Sequence, residues 1–97
     1  MTGILAIRAS QLYTDKADWY IQKKDWQKAL LYIEKSIALT PKRCWAYKKR
    51  KDIYLALGNV ENAIKDLQYF IETPCATSAD REEIKRLRSH PEMPWGK

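Results

Sequence analysis

Histidine is almost missing from this 97-residue chain: His90 stands alone, and beside it there are only two cysteines, Cys44 and Cys75. A structural zinc site takes four ligands, mostly Cys and His, so no such site can be assembled and neither a metal nor a cofactor is expected. Any Ser/His/Asp or Cys/His scheme would have to use His90, which lies between Ser89 and Pro91 at the start of a proline-rich tail. A solvated imidazole is the expected state there. Glycine is sparse as well, and Gly3, Gly58 and Gly96 are too scattered to form a phosphate-cradling loop. With its one histidine in the tail and no phosphate cradle, an enzyme is not expected.

Long apolar runs are missing too. No uninterrupted aliphatic stretch exceeds about four residues, as in Ile4-Leu5-Ala6-Ile7, which is far short of a membrane span or a signal-peptide core. A soluble, cytoplasmic chain with no membrane partner is expected. What is present is ordinary for a globular protein, with 45% hydrophobic and 31% charged residues, and the length suits one small domain over residues 1–97. Eighteen Lys and Arg face twelve Asp and Glu, a formal net charge of +6, which favours acidic partners without choosing among them.

The informative feature is an internal repeat. Moving the sequence 34 positions along itself places Tyr13 on Tyr47, Asp18 on Asp52, Tyr20 on Tyr54, Ala29 on Ala63 and Ile37 on Ile71. Similar residues fill the intervals, among them Lys16 with Arg50, Asp25 with Asn59 and Ile33 with Leu67. Two copies follow, residues 10–43 and 44–77.

Each copy reads as two helices. In the first, Leu12, Tyr13, Tyr20 and Ile21 fall at helical spacing until Lys23-Lys24, and Asp25 can cap a second helix starting at Trp26. Ala29, Leu30, Ile33 and Ile37 give that helix one apolar face, and Thr40-Pro41 ends it. In the second copy Gly58 suits a left-handed helix end and Asn59 the next cap, a tight interhelical turn. Ala63, Ile64, Leu67, Phe70 and Ile71 follow as the buried stripe before Pro74. A fifth helix, 78–89, is predicted with Thr77 or Ser78 as cap, acids in its first turns, and Arg86 and Arg88 near its end. Its thin apolar face of Ala79, Ile84 and Leu87 suits a lid over the second copy. Residues 90–97 read as a flexible tail in which Trp95 can fold back or dangle.

Tyr13, Ala17, Tyr20, Ala29, Ile33 and Pro41, repeated as Tyr47, Tyr54, Gly58, Ala63, Leu67 and Pro74, resemble the tetratricopeptide repeat pattern W-x2-L-G-x2-Y, then A-x3-F, then P. The resemblance covers residues 10–88. Lys16 and Arg50 replace the leucine of the pattern, and Lys51 stands where a small residue is usual; their aliphatic stems can cover apolar surface while the charges reach water. The resemblance implies an all-α fold, an α-solenoid of two antiparallel helix-turn-helix units with a C-terminal capping helix. It also implies a non-catalytic protein-interaction scaffold with a concave groove lined by first helices. Carried over by position, the groove presents Gln11, Thr14, Asp18 and Ile21 from copy one and Trp45, Lys48, Asp52 and Leu55 from copy two, with Lys49 flanking it. A subclass of the family clamps a C-terminal carboxylate at such positions, but Lys48 alone matches and Asp18 and Asp52 oppose it, so that function is not transferred.

Within the groove, Trp45 is the expected apolar anchor and Lys48 the attraction for acidic groups on a protein or peptide partner. Lys48-Lys49-Arg50-Lys51, after Lys42 and Arg43, is the densest charge in the chain. Four successive helical residues spread around the circumference, so a solvated helix exterior is expected. The aromatic neighbours Trp45 and Tyr47 keep a basic nucleic-acid-binding module as an alternative. Trp19 and Trp26 are expected to pack in the core or between repeats. Cys44 and Cys75 fall at the same end of one helical hairpin and can approach, but free thiols are expected in a reducing compartment. Two repeats fall short of the roughly three a solenoid usually needs. Ile4, Leu5 and Ile7 are expected to extend the first helix backwards with a bare apolar edge, which makes a self-associating structural subunit, a homodimer, the other alternative.

Overall fold

A computed structural model describes residues 4–89. The tail residues 90–97, with His90 and Trp95, lie outside the described residues. Five helices follow in order, α1 (Ile4–Gln22), α2 (Trp26–Leu39), α3 (Cys44–Ala56), α4 (Val60–Ile71) and α5 (Ser78–Ser89), with no strand among the described residues. Each packs chiefly on its neighbours in sequence, α1 on α2, α2 on α3, α3 on α4 and α4 on α5, which makes the chain a helical repeat solenoid.

The repeat is written into the turns. At the end of α1 the Asp25 N–H donates to the Tyr20 carbonyl at 2.9 Å and the Lys24 N–H to that of Ile21 at 3.0 Å. At the end of α3, 34 residues on, Asn59 donates to Tyr54 at 2.8 Å and Gly58 to Leu55 at 3.0 Å. Both are Schellman closures, which need a left-handed residue at the penultimate position. Gly58 supplies it with φ 81°, and Lys24 does the same at φ 60°. Asp25 and Asn59 then turn round and cap the next helix, accepting from the Lys28 and Asn62 N–H groups at 3.3 and 3.2 Å.

Two apolar clusters sit between the helices. The first joins Ala17 of α1, Ala29 and Ile33 of α2 and Ala46 and Ile53 of α3; the second joins Leu55, Ala63, Leu67 and Phe70 to Ile84 and Leu87 of α5. α3 therefore feeds both, with Ala46 and Ile53 seven residues apart on one side and Leu55 on the other. Full burial of each large apolar side chain contributes about 1.5–3 kcal/mol, against about 0–1 kcal/mol for an exposed ion pair, so these clusters hold the hairpins together. The tyrosines stack inside their own hairpins: Tyr32 lies between Tyr20 and Tyr13 at centroid distances of 5.5 and 6.1 Å, and Tyr47 meets Tyr69 at 4.2 Å. Trp26 packs against the first cluster. Trp19 does not, and its expected burial is corrected: it stands on the side of α1 opposite Ser10, Thr14 and Ala17 and is exposed.

One end of the first hairpin is joined by hydroxyls. Ser10 meets Ser36 at 2.7 Å and Thr40 at 2.6 Å, Thr14 meets Ser36 at 2.8 Å, and Thr14 also donates to the Ser10 carbonyl. Ser10, Thr14 and Ser36 are buried, and no buried side-chain polar atom among the described residues is without a partner. At the other repeat, Cys44 and Cys75 form a disulfide with their Cα atoms 6.5 Å apart. The free-thiol expectation is corrected: the antiparallel α3–α4 hairpin returns the chain beyond Thr73 and Pro74 to the start of α3, within bonding reach.

The left-handed positions give a test. Lys24→Gly is expected to raise stability by about 1 kcal/mol and Gly58→Ala to lower it by a similar amount, since a β-carbon is disfavoured at positive φ. Thermal melts should move in opposite directions for the two variants, and matching shifts would contradict the shared turn geometry.

Candidate functional site

Four consecutive cations of α3 lie beside the expected groove, and each is paired with an acid. Lys49 reaches Asp18 of α1 at 2.7 Å, Arg50 holds Asp66 of α4 through two hydrogen bonds of 2.8 and 2.7 Å, and Lys48 reaches Asp80 of α5 at 3.0 Å. The Lys51 ammonium lies between Asp52, at 2.6 Å, and Glu83 of α5, at 2.9 Å. Residues on a helix advance about 100° each, so four in a row point in four directions. α3 has helices around it, and each direction ends on a carboxylate.

This corrects the expectation of a solvated exterior. Lys51 is 3% exposed, and its charge meets acids rather than water. Burial alone would depress its pKa, but the contacts to Asp52 and Glu83 outweigh burial and raise it. The paired Asp66 likewise raises Arg50, against the opposing effect of burial. Burial raises the phenols of Tyr47 and Tyr54, over whose rings the Arg50 guanidinium sits at 5.5 and 5.7 Å. Asp80 joins two jobs: one oxygen takes Lys48, the other accepts the Thr77 N–H at 2.9 Å and its hydroxyl at 3.0 Å, closing the first turn of α5. Burial pushes the Asp80 carboxyl up, yet the Thr77 and Lys48 contacts prevail and hold it below its usual range.

The groove residues expected from position divide accordingly. Thr14 and Leu55 are corrected out of an exposed surface: Thr14 belongs to the hydroxyl cluster, and Leu55 to the second apolar cluster. Gln11 is exposed and tied to Asp15 and Arg43 at 3.0 and 2.9 Å. Asp18 and Lys49 neutralise one another across α1 and α3, Ile21 is half-buried against the first cluster, and Asp52 is exposed beside Lys51. Lys48 is half-buried and already paired.

Trp45 differs from all of these. It is 53% exposed, yet its ring rests on the fully buried Phe70 at a centroid distance of 5.6 Å. The Lys48 ammonium lies 5.7 Å from the Trp45 ring and 5.4 Å from that of Phe70, and the preceding residue is bonded to Cys75. The indole is thus held from beneath and from behind while its outer face meets solvent. Two shallow depressions lie elsewhere, about 460 Å³ lined by residues from Leu39 to Arg43 and about 310 Å³ lined by Gln27, Leu30, Leu31, Glu34 and Leu57. Neither includes Trp45. Among the described residues no group of His, Cys, Asp or Glu is placed to hold a metal ion, and no helix is long and apolar enough to cross a membrane.

Sequence reasoning missed Phe70 as the support of Trp45 and the acids that meet the α3 cations. A signal existed for the latter, since Asp18, Asp66 and the pair Asp80 and Glu83 fall in three different helices that flank the basic run of α3 in sequence. In comparisons with known proteins, a model of the tetratricopeptide repeat matches residues 17–89. No curated protein and no solved structure matches.

Two measurements check this geometry. The contribution of Asp80 is present above its ordinary pKa of 3.8 and lost as pH falls through the lower folded value. Asp80→Asn is therefore expected to cost about 1–3 kcal/mol at neutral pH and little once the pH lies below the lowered folded value of that carboxyl in denaturant titrations, and an equal cost at both would contradict the pairing. The disulfide spans 31 residues, so Cys44→Ser is expected to cost about 3–4 kcal/mol by chain entropy; a melt unmoved by that change and by reductant would deny the bond.

Proposed function

The chain belongs to the tetratricopeptide repeat family, whose members generally mediate protein–protein interaction, and on that footing we propose that it is a non-catalytic module that holds a partner segment on its α1/α3 face. The observation that carries this reading is Trp45, a large aromatic with more than half its surface in solvent on a rigid support of Phe70, Lys48 and the Cys44–Cys75 bond. An immobilised indole offers much contact area and loses little entropy on binding, which is the profile of an interface anchor. Asp52, Asp18, Lys49, Gln11 and Ile21 would border the bound segment.

Lys48 enters this reading in a changed role. Asp80 neutralises it at 3.0 Å, so it positions the indole more than it attracts a carboxylate. Acidic groups on the partner remain part of the proposal on the strength of the +6 net charge, acting at longer range. The nucleic-acid alternative loses its main support, since phosphates would have to displace carboxylates already paired with the α3 cations. A cytoplasmic location belongs to the same reading, and the disulfide is the observation that weighs against it.

A second reading, self-association, is favoured by the exposure of Ile4, Leu5 and Ile7, which all lie on α1.

Peptides selected from a random library on the intact domain test the first reading. Trp45→Ala is expected to weaken their binding at least tenfold, about 1.4 kcal/mol or more, without loss of helicity. Peptides that bind the variant as tightly as the parent would remove Trp45 from the site.

A further inference from the structure

We propose that the outer face of α1 pairs with α1 of a second copy in an antiparallel, two-fold arrangement centred on Leu12; this deepens the self-association reading and rests on it. Leu5, Leu12 and Trp19 are 82, 64 and 54% exposed, an unusual set for one helix of a small domain. They stand seven residues apart, a spacing that drifts by only about 20° per step, so the three form one stripe. The stripe runs along the side opposite the buried Ser10, Thr14 and Ala17, away from α2. Of the three N-terminal apolar residues only Leu5 belongs to it, because Ile4 shares a row with Gln11 and Ile7 with the buried Thr14.

The stripe is complementary to itself in reverse. A two-fold axis through Leu12 sets Leu12 against the partner's Leu12 and Leu5 against the partner's Trp19. Arg8 and Asp15 flank the stripe on one side, four residues before and three after Leu12, and a two-fold of this kind brings like flanks together. Arg8 then falls within about 1.5 Å, one residue rise, of the level of the partner's Asp15, and the pair forms twice. On the other flank the same rule sets Lys16 beside the partner's small Ala9. A parallel two-fold brings opposite flanks together instead, so that Arg8 faces the partner's Ala9 and only Asp15 meets an opposite charge, the partner's Lys16. Charge complementarity therefore favours the second copy as occupant, and the doubled Arg8–Asp15 pair belongs to the antiparallel direction alone. One helix per copy makes a small interface, so the dimer is concentration-dependent, half-formed at about 10–100 µM.

Sedimentation equilibrium of the full chain across that range tests the pairing. The expected result is a monomer–dimer equilibrium that Leu12→Asp abolishes, because it sets two carboxylates on the axis, while circular dichroism stays unchanged at this exposed position. Arg8→Glu and Asp15→Arg are each expected to weaken the dimer at least fivefold, and the double variant to restore it. Trp45→Ala is expected to leave association untouched. A dimer that survives Leu12→Asp, or a double variant that fails to recover, overturns this pairing and leaves self-association by another face standing. A monomer throughout overturns both, and gives the stripe to a different protein. Neither result bears on the Trp45 face.

Discussion

The four cations of α3 and the carboxylates that surround them set the terms for the rest of the molecule. A helix in the middle of a five-helix stack has little solvent to turn to, yet this one carries Lys48, Lys49, Arg50 and Lys51 in succession. The buried Lys51 must meet an acid or incur a desolvation cost of several kcal/mol, and the others, partly in solvent, are paired as well. Asp18, Asp66, Asp80, Asp52 and Glu83 meet that demand from α1, α4, α5 and α3 itself. The attraction of the exposed pairs is modest, about 0–1 kcal/mol, so their effect lies in specificity: a helix placed one turn out of register would strand a buried charge. The apolar clusters supply most of the cohesion, and the charges select one arrangement of the hairpins.

That selection bears directly on the proposed binding face. Lys48 and Asp80 tie α5 to α3 where Trp45 lies against Phe70, and the Cys44–Cys75 bond fastens the same corner covalently. Asp80 closes the first turn of α5 with its other oxygen, so the capping helix and the indole platform share one carboxylate. The first hairpin is secured differently, by the hydroxyl cluster of Ser10, Thr14, Ser36 and Thr40 at one end and the Tyr13–Tyr32–Tyr20 stack along its length. Its outer side carries the unpaired Leu5–Leu12–Trp19 stripe. The two ends of the solenoid thus offer different surfaces, a braced aromatic at one and a self-complementary helix face at the other.

Much of the architecture was legible in the chain. The 34-residue period, the caps at Asp25 and Asn59 and the left-handed turn at Gly58 are local features whose residues carry their own conformational preferences. Lys24 shows where that legibility stops: a lysine gives no hint of positive φ, and only its equivalence with Gly58 does. Thr14 and Leu55 were misplaced because position in a repeat pattern says which side of a helix a residue occupies, not what the neighbouring helix brings to that side. Thr14 meets Ser36 instead of solvent, and Leu55 meets the apolar face of α4.

What the sequence determined by itself is the number of helices, their boundaries and the repeat, because these depend on spacing and turn chemistry within a few residues of one another. The destinations of Lys48 to Lys51, the union of Cys44 with Cys75 and the support beneath Trp45 were decided by tertiary structure alone. Nearly all of them join residues from separate elements, and whether a charge is solvated or paired, or a thiol free or bonded, depends on which group the packing sets within a few ångströms of it.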